Sequence, residues 1–402
     1  MFEYLIIEIL ATTIGIIAIL YLLFHLIKQT SIANFIKSKH FWIPLTIFVI
    51  AFFIGMFGNK TYAPHFAMPT WMHSEDPHHH NPAIPVPKIV EFIKMKKNFD
   101  VIENIGADPN DVPPATNRSE PALVEFELTA QEVIAEVAPG ISFNYWTYNG
   151  QVPGPMLRAR VGDTVRLTLN NHPSSLHHHN IDLHAVTGPG GGATLTHVAP
   201  GESKTFEWKA LNPGLYVYHC AMPNVSTHNS HGQYGLILIE PEEGLPTVDK
   251  EFYVMQGELY TVGDIGKKGL VPFDSQALID GLPNYVTFNG IVEQEPRMQV
   301  NTGDKVRIYV GNGGVNLISS FHAIGEIFDE VYPEAAIGSD TLKNVQTTAV
   351  LPGGASIVEF VAEVPGNLIL VDHALARMNK GAWAVVKVAG EDRPDIFKAI
   401  EN

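Results

Sequence analysis

The sequence predicts a mainly β chain of 402 residues, in which two transmembrane helices precede two tandem β-sandwiches. After about residue 120, short strand-like runs separated by Gly, Pro and Asn dominate, for example DTVRLTLNN and SIVEFVAEV. Two segments of this part recur about 140 residues later, as expected for a duplicated domain. The N-terminal part differs because two long apolar runs dominate it.

Residues 1–57 are predicted to form a two-helix membrane anchor. Residues 4–27 are almost wholly apolar and long enough to span a bilayer, and residues 41–57 reach the short end of the spanning range. A cleaved signal peptide is the alternative for the first run, but that run lacks a basic start, is too long and is followed by another. Lysines lie in the intervening loop, so we expect a two-pass protein of a bacterial inner membrane with its C-terminal part in the periplasm.

The rest of the chain divides into three predicted parts. Residues 58–120 are rich in Pro, His and polar residues, which predicts an extended connector along the surface. Its histidine run, His78 to His80, is predicted to be a solvated patch, with a role near a metal or a quinone as the alternative. Residues 121–245 and 246–402 are the two predicted sandwiches.

The duplication is visible in two pairs of segments. Residues 148–171 are echoed by residues 288–312, and residues 199–220 by residues 351–373. Only the first copy contains a cysteine, the single one of the chain, so no internal disulfide forms. The formal net charge of −16 excludes a nucleic-acid partner, because a phosphate-binding surface needs clustered Lys and Arg.

The first copy contains a predicted copper site. Cys220 is followed by His228 and Gln233 in the pattern H-x4-Q, and His179 precedes it in HNIDLH. A lone thiolate with two imidazoles and a weak axial group is typical of a blue-copper electron-transfer centre. Taken alone, a cysteine in a strand is more often a small buried hydrophobe, but the combined spacing favours copper. Met222 is a weaker alternative to Gln233 as the axial ligand.

A second metal is predicted on the other face of the same strand. Neighbouring side chains of a β-strand point in opposite directions, so His219 and Cys220 face different ways, and His184 is expected beside His219. The peptide link from His219 to Cys220 is then a short covalent path between two metals. In the second copy, His322 and His373 stand on strands that would meet these histidines across the seam of a subunit ring.

These motifs resemble those of the copper-containing nitrite reductases, periplasmic trimers of two-cupredoxin chains that reduce nitrite to nitric oxide. The resemblance runs from about residue 120 to the end and implies two cupredoxin-like Greek-key sandwiches with one type 1 and one type 2 copper per chain. It implies acid-base roles for Asp182 and His322, and for Ile324 a place in the substrate pocket. The implied type 1 ligands are His179, Cys220 and His228, and the type 2 ligands are His184, His219 and the partner subunit's His373.

Asp182 precedes His184 by two residues and thus shares its strand face, where a proton donor is needed. The alternative is a turn residue that orients His184. Gln233 replaces the axial methionine of the family, and an amide oxygen favours Cu(II), so the type 1 potential should fall. A membrane quinol is then the expected electron donor, with a soluble cytochrome c or cupredoxin as the alternative.

The motifs leave two other functions as alternatives. A membrane-tethered multicopper oxidase would need repeated His-x-His pairs and a His-Cys-His strand, whereas Ala221 follows Cys220. A membrane-tethered electron-transfer cupredoxin would need no histidines in its second sandwich, whereas His322 and His373 are present there.

Overall fold

The computed structural model describes residues 2–28, 32–57, 99–292 and 296–400. These residues belong to two compact units, one that contains the N-terminal helices and one that contains everything from Phe99 onward. The predicted fold class, mainly β with sandwiches that follow apolar N-terminal helices, is confirmed. Most of the predicted connector, with its histidine run, lies outside the described residues. The predicted domain boundaries stay a prediction.

The helical unit contains α1 (Phe2–Lys28), α2 (Ile32–Ile36) and α3 (Lys39–Phe57). Within α1, Leu10–Lys28 is long and apolar enough to cross a membrane, a property that it shares with signal sequences. In α3, the apolar stretch Lys39–Phe52 is shorter than a usual span. One apolar span is thus described, and the two-pass topology stays a prediction.

The other unit is built from two sandwiches and short helices. Its elements in chain order are β1 (Asp100–Ile102), β2 (Leu123–Ala138), β3 (Ile141–Tyr148), β4 (Leu157–Arg160), β5 (Thr164–Asn171), β6 (Asp182–Leu183), β7 (Ser203–Lys209), β8 (Gly214–His219), α4 (Val225–Ser230), β9 (Tyr234–Glu240), β10 (Lys250–Leu259), β11 (Gly269–Leu270), α5 (Ser275–Asp280), β12 (Tyr285–Phe288), β13 (Met298–Asn301), β14 (Lys305–Asn312), β15 (Ser319–Ile324), β16 (Phe328–Tyr332), β17 (Leu342–Val345), β18 (Thr347–Val350), β19 (Ala355–Val361), β20 (Gly366–Asp372) and β21 (Trp383–Ala389).

The strands form two sheets in each sandwich. The first sandwich contains a sheet of order β11-β3-β2-β5-β7, with β1 beside β2, and a sheet of order β4-β9-β8-β6. The second contains the sheets β12-β10-β14-β19-β16-β17 and β13-β21-β20-β15-β18.

Each sandwich has its own apolar core, and a third cluster joins the two. Strand β9 shows how, because all seven of its residues are buried. Ile237 and Ile239 pack in the first core, while Leu236 and Leu238 belong to the cluster that also contains Tyr253 of β10. Apart from Glu240 at its end, the strand contains no charged residue, because neither of its faces meets water. The two sandwiches are therefore packed into one body by sheet-to-sheet contact.

The duplication extends to charged residues. In each copy an arginine stands between two glutamates on the neighbouring strands. The first arginine is exposed to solvent, whereas the second is buried together with one of its glutamates, and its other glutamate is partly buried. The two ladders are Glu125, Arg166 and Glu207 in the first copy and Glu251, Arg307 and Glu359 in the second.

Candidate functional site

Cys220 lies at the centre of a buried group of ligand-type side chains. Its Sγ atom is 3.3 Å from His228 Nδ1 and 4.0 Å from His179 Nδ1. Gln233 Oε1 lies 3.2 Å from His228 Nδ1, and all four side chains are buried. The structure thus brings together a thiol, two imidazoles and an amide oxygen, and we call these four residues the inner group. Met222, the alternative axial residue, packs in the first apolar core.

Local structure explains how these residues meet. Cys220 directly follows β8, and its N–H donates to the carbonyl of Gln233 at 3.1 Å, so the ends of β8 and β9 hold these two residues together. His228 lies in α4, the short helix that connects these strands. His179 is held in place by an antiparallel backbone bridge to Val198.

Burial sets the protonation of the inner group. It raises the pKa of the Cys220 thiol to about 12, because the thiolate is poorly solvated there. It also lowers the pKa of His179 and of His228, so both rings are neutral near pH 7 and keep a lone pair for a metal. Near pH 7 the free thiol therefore keeps its proton, which a bound cation would replace.

A second group lies on the opposite face of β8, and we call it the outer group. His184 Nε2 and His219 Nε2 are 3.1 Å apart, and Asp182 Oδ2 is 3.9 Å from His219 Nε2. Asp182 and His219 face each other across the β6–β8 ladder. His219 Nδ1 lies 3.0 Å from the carbonyl oxygen of Cys220, to which it donates. This bond leaves Nε2 with the lone pair, aimed at the group.

Two glycines let the backbone approach the outer group. Gly191 has a φ of +55°, and a Cβ atom there would lie 1.8 Å from Asp182 Oδ1. Gly353 lies in the turn before β19 of the second sandwich, and a Cβ atom added there would lie 3.4 Å from His184 Cε1. The glycine-rich loop around Gly191 therefore covers the Asp182 carboxylate closely.

The predicted residues of the second sandwich form a separate pair. The rings of His322 and His373 have centroids 5.3 Å apart at the edge where β15 and β20 meet. His322 Nδ1 lies 2.5 Å from the carbonyl oxygen of Gln346. Ile324 is 40% exposed. Among the described residues, the two groups close enough to hold a metal include neither His322 nor His373.

Known proteins show which family this arrangement belongs to. Residues 129–244 match a family described as multicopper oxidase. A copper-containing nitrite reductase from Neisseria meningitidis is 49% identical over 301 residues, which are 74% of this chain and 78% of that protein. The chain belongs to the copper-containing nitrite reductases. A second member of this family, from Alcaligenes faecalis, is 33% identical over 303 residues, 70% of this chain and 80% of that protein.

A solved structure agrees with this membership. The copper nitrite reductase from Nitrosomonas europaea has a TM-score of 0.61 and 31% identity, covering 68% of this chain and 96% of that one. The family and fold that the motifs predicted are thereby confirmed for this nitrite reductase. The multicopper oxidase match covers the first sandwich only. The roles of the individual site residues stay predictions.

Several residues around the inner group were not anticipated. Asn180 Oδ1 accepts the N–H of Ala221 at 2.7 Å and so ties the HNIDLH segment to the cysteine. The Trp146 ring lies edge-on to His228, with centroids 4.6 Å apart. Glu132, fully buried on β2, lies 3.5 Å from His179 Nε2. Strand β2 carries four glutamates, and nothing in the sequence distinguishes Glu132 from the others.

Proposed function

We propose that this chain reduces nitrite to nitric oxide with one type 1 and one type 2 copper per chain. The observation that carries the proposal is the position of two adjacent residues in two different ligand groups. Cys220 belongs to the inner group and His219 to the outer group, so a single peptide bond separates their backbones. Electrons pass along this link from the inner to the outer group.

The donor atoms fit copper. The inner group offers a thiol, two neutral imidazoles and the Gln233 amide oxygen, the donor set of a type 1 centre with a hard axial ligand. The outer group offers two imidazole nitrogens, with the partner subunit's His373 as the third ligand. When bound, copper supplies one-electron redox chemistry at the inner group and an open coordination position for nitrite at the outer group.

The protein must also supply protons, because nitrite, one electron and two protons give nitric oxide and water. Asp182 lies beside the outer group and delivers the first proton to a nitrite oxygen. His322 delivers the second from Nε2 in its doubly protonated form, and its Nδ1–H keeps the hydrogen bond to the Gln346 carbonyl throughout. The exposed side chain of Ile324 crowds the bound nitrite and limits its orientations.

A homotrimer completes the outer group with a histidine from a second chain. His373 is exposed, and within one chain it pairs with His322 instead of His184 or His219. A ring with head-to-tail interfaces places the second sandwich of one subunit against the first sandwich of the next. Each seam then brings together the histidines of two chains, and His322 reaches Asp182 in the same way.

The electron donor is a quinol in the bacterial inner membrane, with lipid around two N-terminal spans and the sandwiches in the periplasm. The apolar stretch Leu10–Lys28 and the lysines that follow it support this topology. The Gln233 oxygen supports the low potential that a quinol matches. A soluble cytochrome c or cupredoxin is the alternative donor.

Copper analysis combined with a nitrite assay tests the function. Asp182→Asn and His322→Ala should each retain both coppers and lower turnover about 10²- to 10⁴-fold, because each removes a proton donor. Asp304→Asn, in an exposed turn of the second sandwich, is the matched control and should leave turnover unchanged. Oxygen consumption without nitrite turnover would instead indicate an oxidase. A single copper per chain would indicate an electron-transfer protein.

A further inference from the structure

Glu132 is a buried carboxylate beside the inner group that no step of the proposed reaction uses. Its Oε1 atom lies 3.5 Å from His179 Nε2 and 3.1 Å from His177 Nδ1. The same oxygen accepts the backbone N–H groups of Leu176 and His177, each at 2.8 Å. Its Oε2 atom is buried without a hydrogen-bond partner in the described part of the chain.

The second copy contains the same residue without a ligand beside it. Glu258 of β10 follows Glu251 by the same number of residues as Glu132 follows Glu125. Glu258 is buried, and its carboxylate accepts the N–H of Leu317 at 2.8 Å and of Asn316 at 3.2 Å.

Both glutamates therefore hold the loop that leads to a site strand. The two glutamates differ in the side chains that they contact. Glu258 accepts the hydroxyl of Tyr260, whereas Glu132 lies beside imidazole rings. Holding the loop does not require an imidazole, so the contact with His179 is an addition in the copy that contains the cysteine.

We propose that Glu132 is a positioning residue that orients His179 and lowers the reduction potential of the type 1 copper. The proposal rests on the proposed function of the inner group. His179 Nε2 has no hydrogen-bond partner in the described part of the chain, and the Glu132 carboxylate lies 3.5 Å away. Its negative charge favours the tautomer that carries the proton on Nε2 and the lone pair on Nδ1, on the side of Cys220. A nearby negative charge in a poorly solvated interior also stabilises the more positive oxidation state of the metal.

Glu132→Gln tests the proposal, because glutamine keeps the size and the acceptor oxygen for the loop N–H groups but removes the charge. We expect the midpoint potential, measured by redox titration of the visible charge-transfer band, to rise by about 59 mV or more. This value is a tenfold change in the ratio of oxidised to reduced centre for a one-electron couple. Glu258→Gln is the matched control, and we expect it to leave the potential at the wild-type value. Equal potentials in wild type and Glu132→Gln would overturn the proposal.

His177→Leu is a second test if Glu132→Gln does not fold. It removes a donor that shares the carboxylate, so the charge acts on His179 alone and the potential should fall. An unchanged potential would contradict the proposal. An absent visible band in the copper-loaded wild type would instead contradict the type 1 site itself, and so the proposed function.

Discussion

Two adjacent side chains, His219 and Cys220, lie in different environments although one peptide bond joins them. Cys220 is fully buried and its pKa is raised to about 12, whereas His219 is partly exposed and faces His184. The alternation of side chains along a strand is the cause. At the scale of residues, each side chain can therefore be replaced without changing the group to which the other belongs.

Replacing Cys220 by Ala should abolish the visible charge-transfer band and leave copper bound at the outer group, because the thiolate serves the inner group only. An absorption spectrum and a copper count on the purified variant measure both effects. Ser174→Ala, outside both groups, is the control. His231→Ala is unsuitable as a control because the His231 ring stacks on Trp146 beside the site. A band that survives in Cys220→Ala would rule out the assignment.

At the scale of elements, the two copies use the same strand pattern in different surroundings. Arg166 on β5 is open to solvent on its ladder, whereas Arg307 on β14 is almost fully buried between Glu251 and Glu359. The Arg158 side chain from the first sandwich also binds Glu251 at 2.8 Å. Packing against the first sandwich thus buries, in the second copy, a ladder that is exposed in the first copy.

Arg307→Gln should lower the free energy of unfolding by about 1–3 kcal/mol, because it removes charged hydrogen bonds to the Glu251 and Glu359 carboxylates. Each carboxylate keeps a second cation, Arg158 for Glu251 and Lys305 for Glu359. Denaturant unfolding followed by tryptophan fluorescence measures this loss. Arg166→Gln is the matched control at the equivalent exposed position, and its unfolding midpoint should stay close to wild type. Similar midpoints for the two variants would show that the buried network contributes little.

At the scale of the whole molecule, one chain presents the outer group on one sandwich and a histidine pair on the other. Both groups are partly or fully exposed to solvent, so both are accessible to a neighbouring copy. The proposed ring of subunits is tested by bringing the two groups together from different chains.

Mixed assemblies should recover activity. His373→Ala and His219→Ala chains are each expected to be inactive alone, but some seams in a mixed ring contain an unchanged histidine from each side. Co-expression with two different affinity tags, followed by a nitrite assay on doubly purified protein, measures the recovery. Verified mixed rings with no activity would place all the ligands of the outer site within one chain.

Deleting residues 1–57 should remove turnover with a quinol and spare turnover with a small artificial reductant, because the anchor serves the donor and not the chemistry. Both rates are measured in the same detergent, with full-length protein as the control. Equal quinol-driven rates with and without these residues would make the helices a tether and favour a soluble cytochrome c or cupredoxin as donor.

Much of this protein could be predicted from the sequence because the relevant patterns are local. Alternating strands such as β5, the repeated segments and the His219–Cys220 dipeptide each depend on neighbours in the chain, and strand geometry converts them into faces. The family membership followed from the same motifs, and the relatives confirm it. The two ligand faces of β8 were likewise determined by parity alone.

Only the tertiary structure decided which distant segments meet. Glu132 contacts His179 from another strand, Gly191 covers Asp182 from a loop, and Leu236 is buried by the second sandwich. Such contacts depend on how the sheets pack. Packing depends on the shapes and burial of side chains throughout the chain and not on the spacing of residues along the sequence. The sequence by itself determined which chemical groups the candidate ligands carry. The fold decided which charged side chains and loops lie around them.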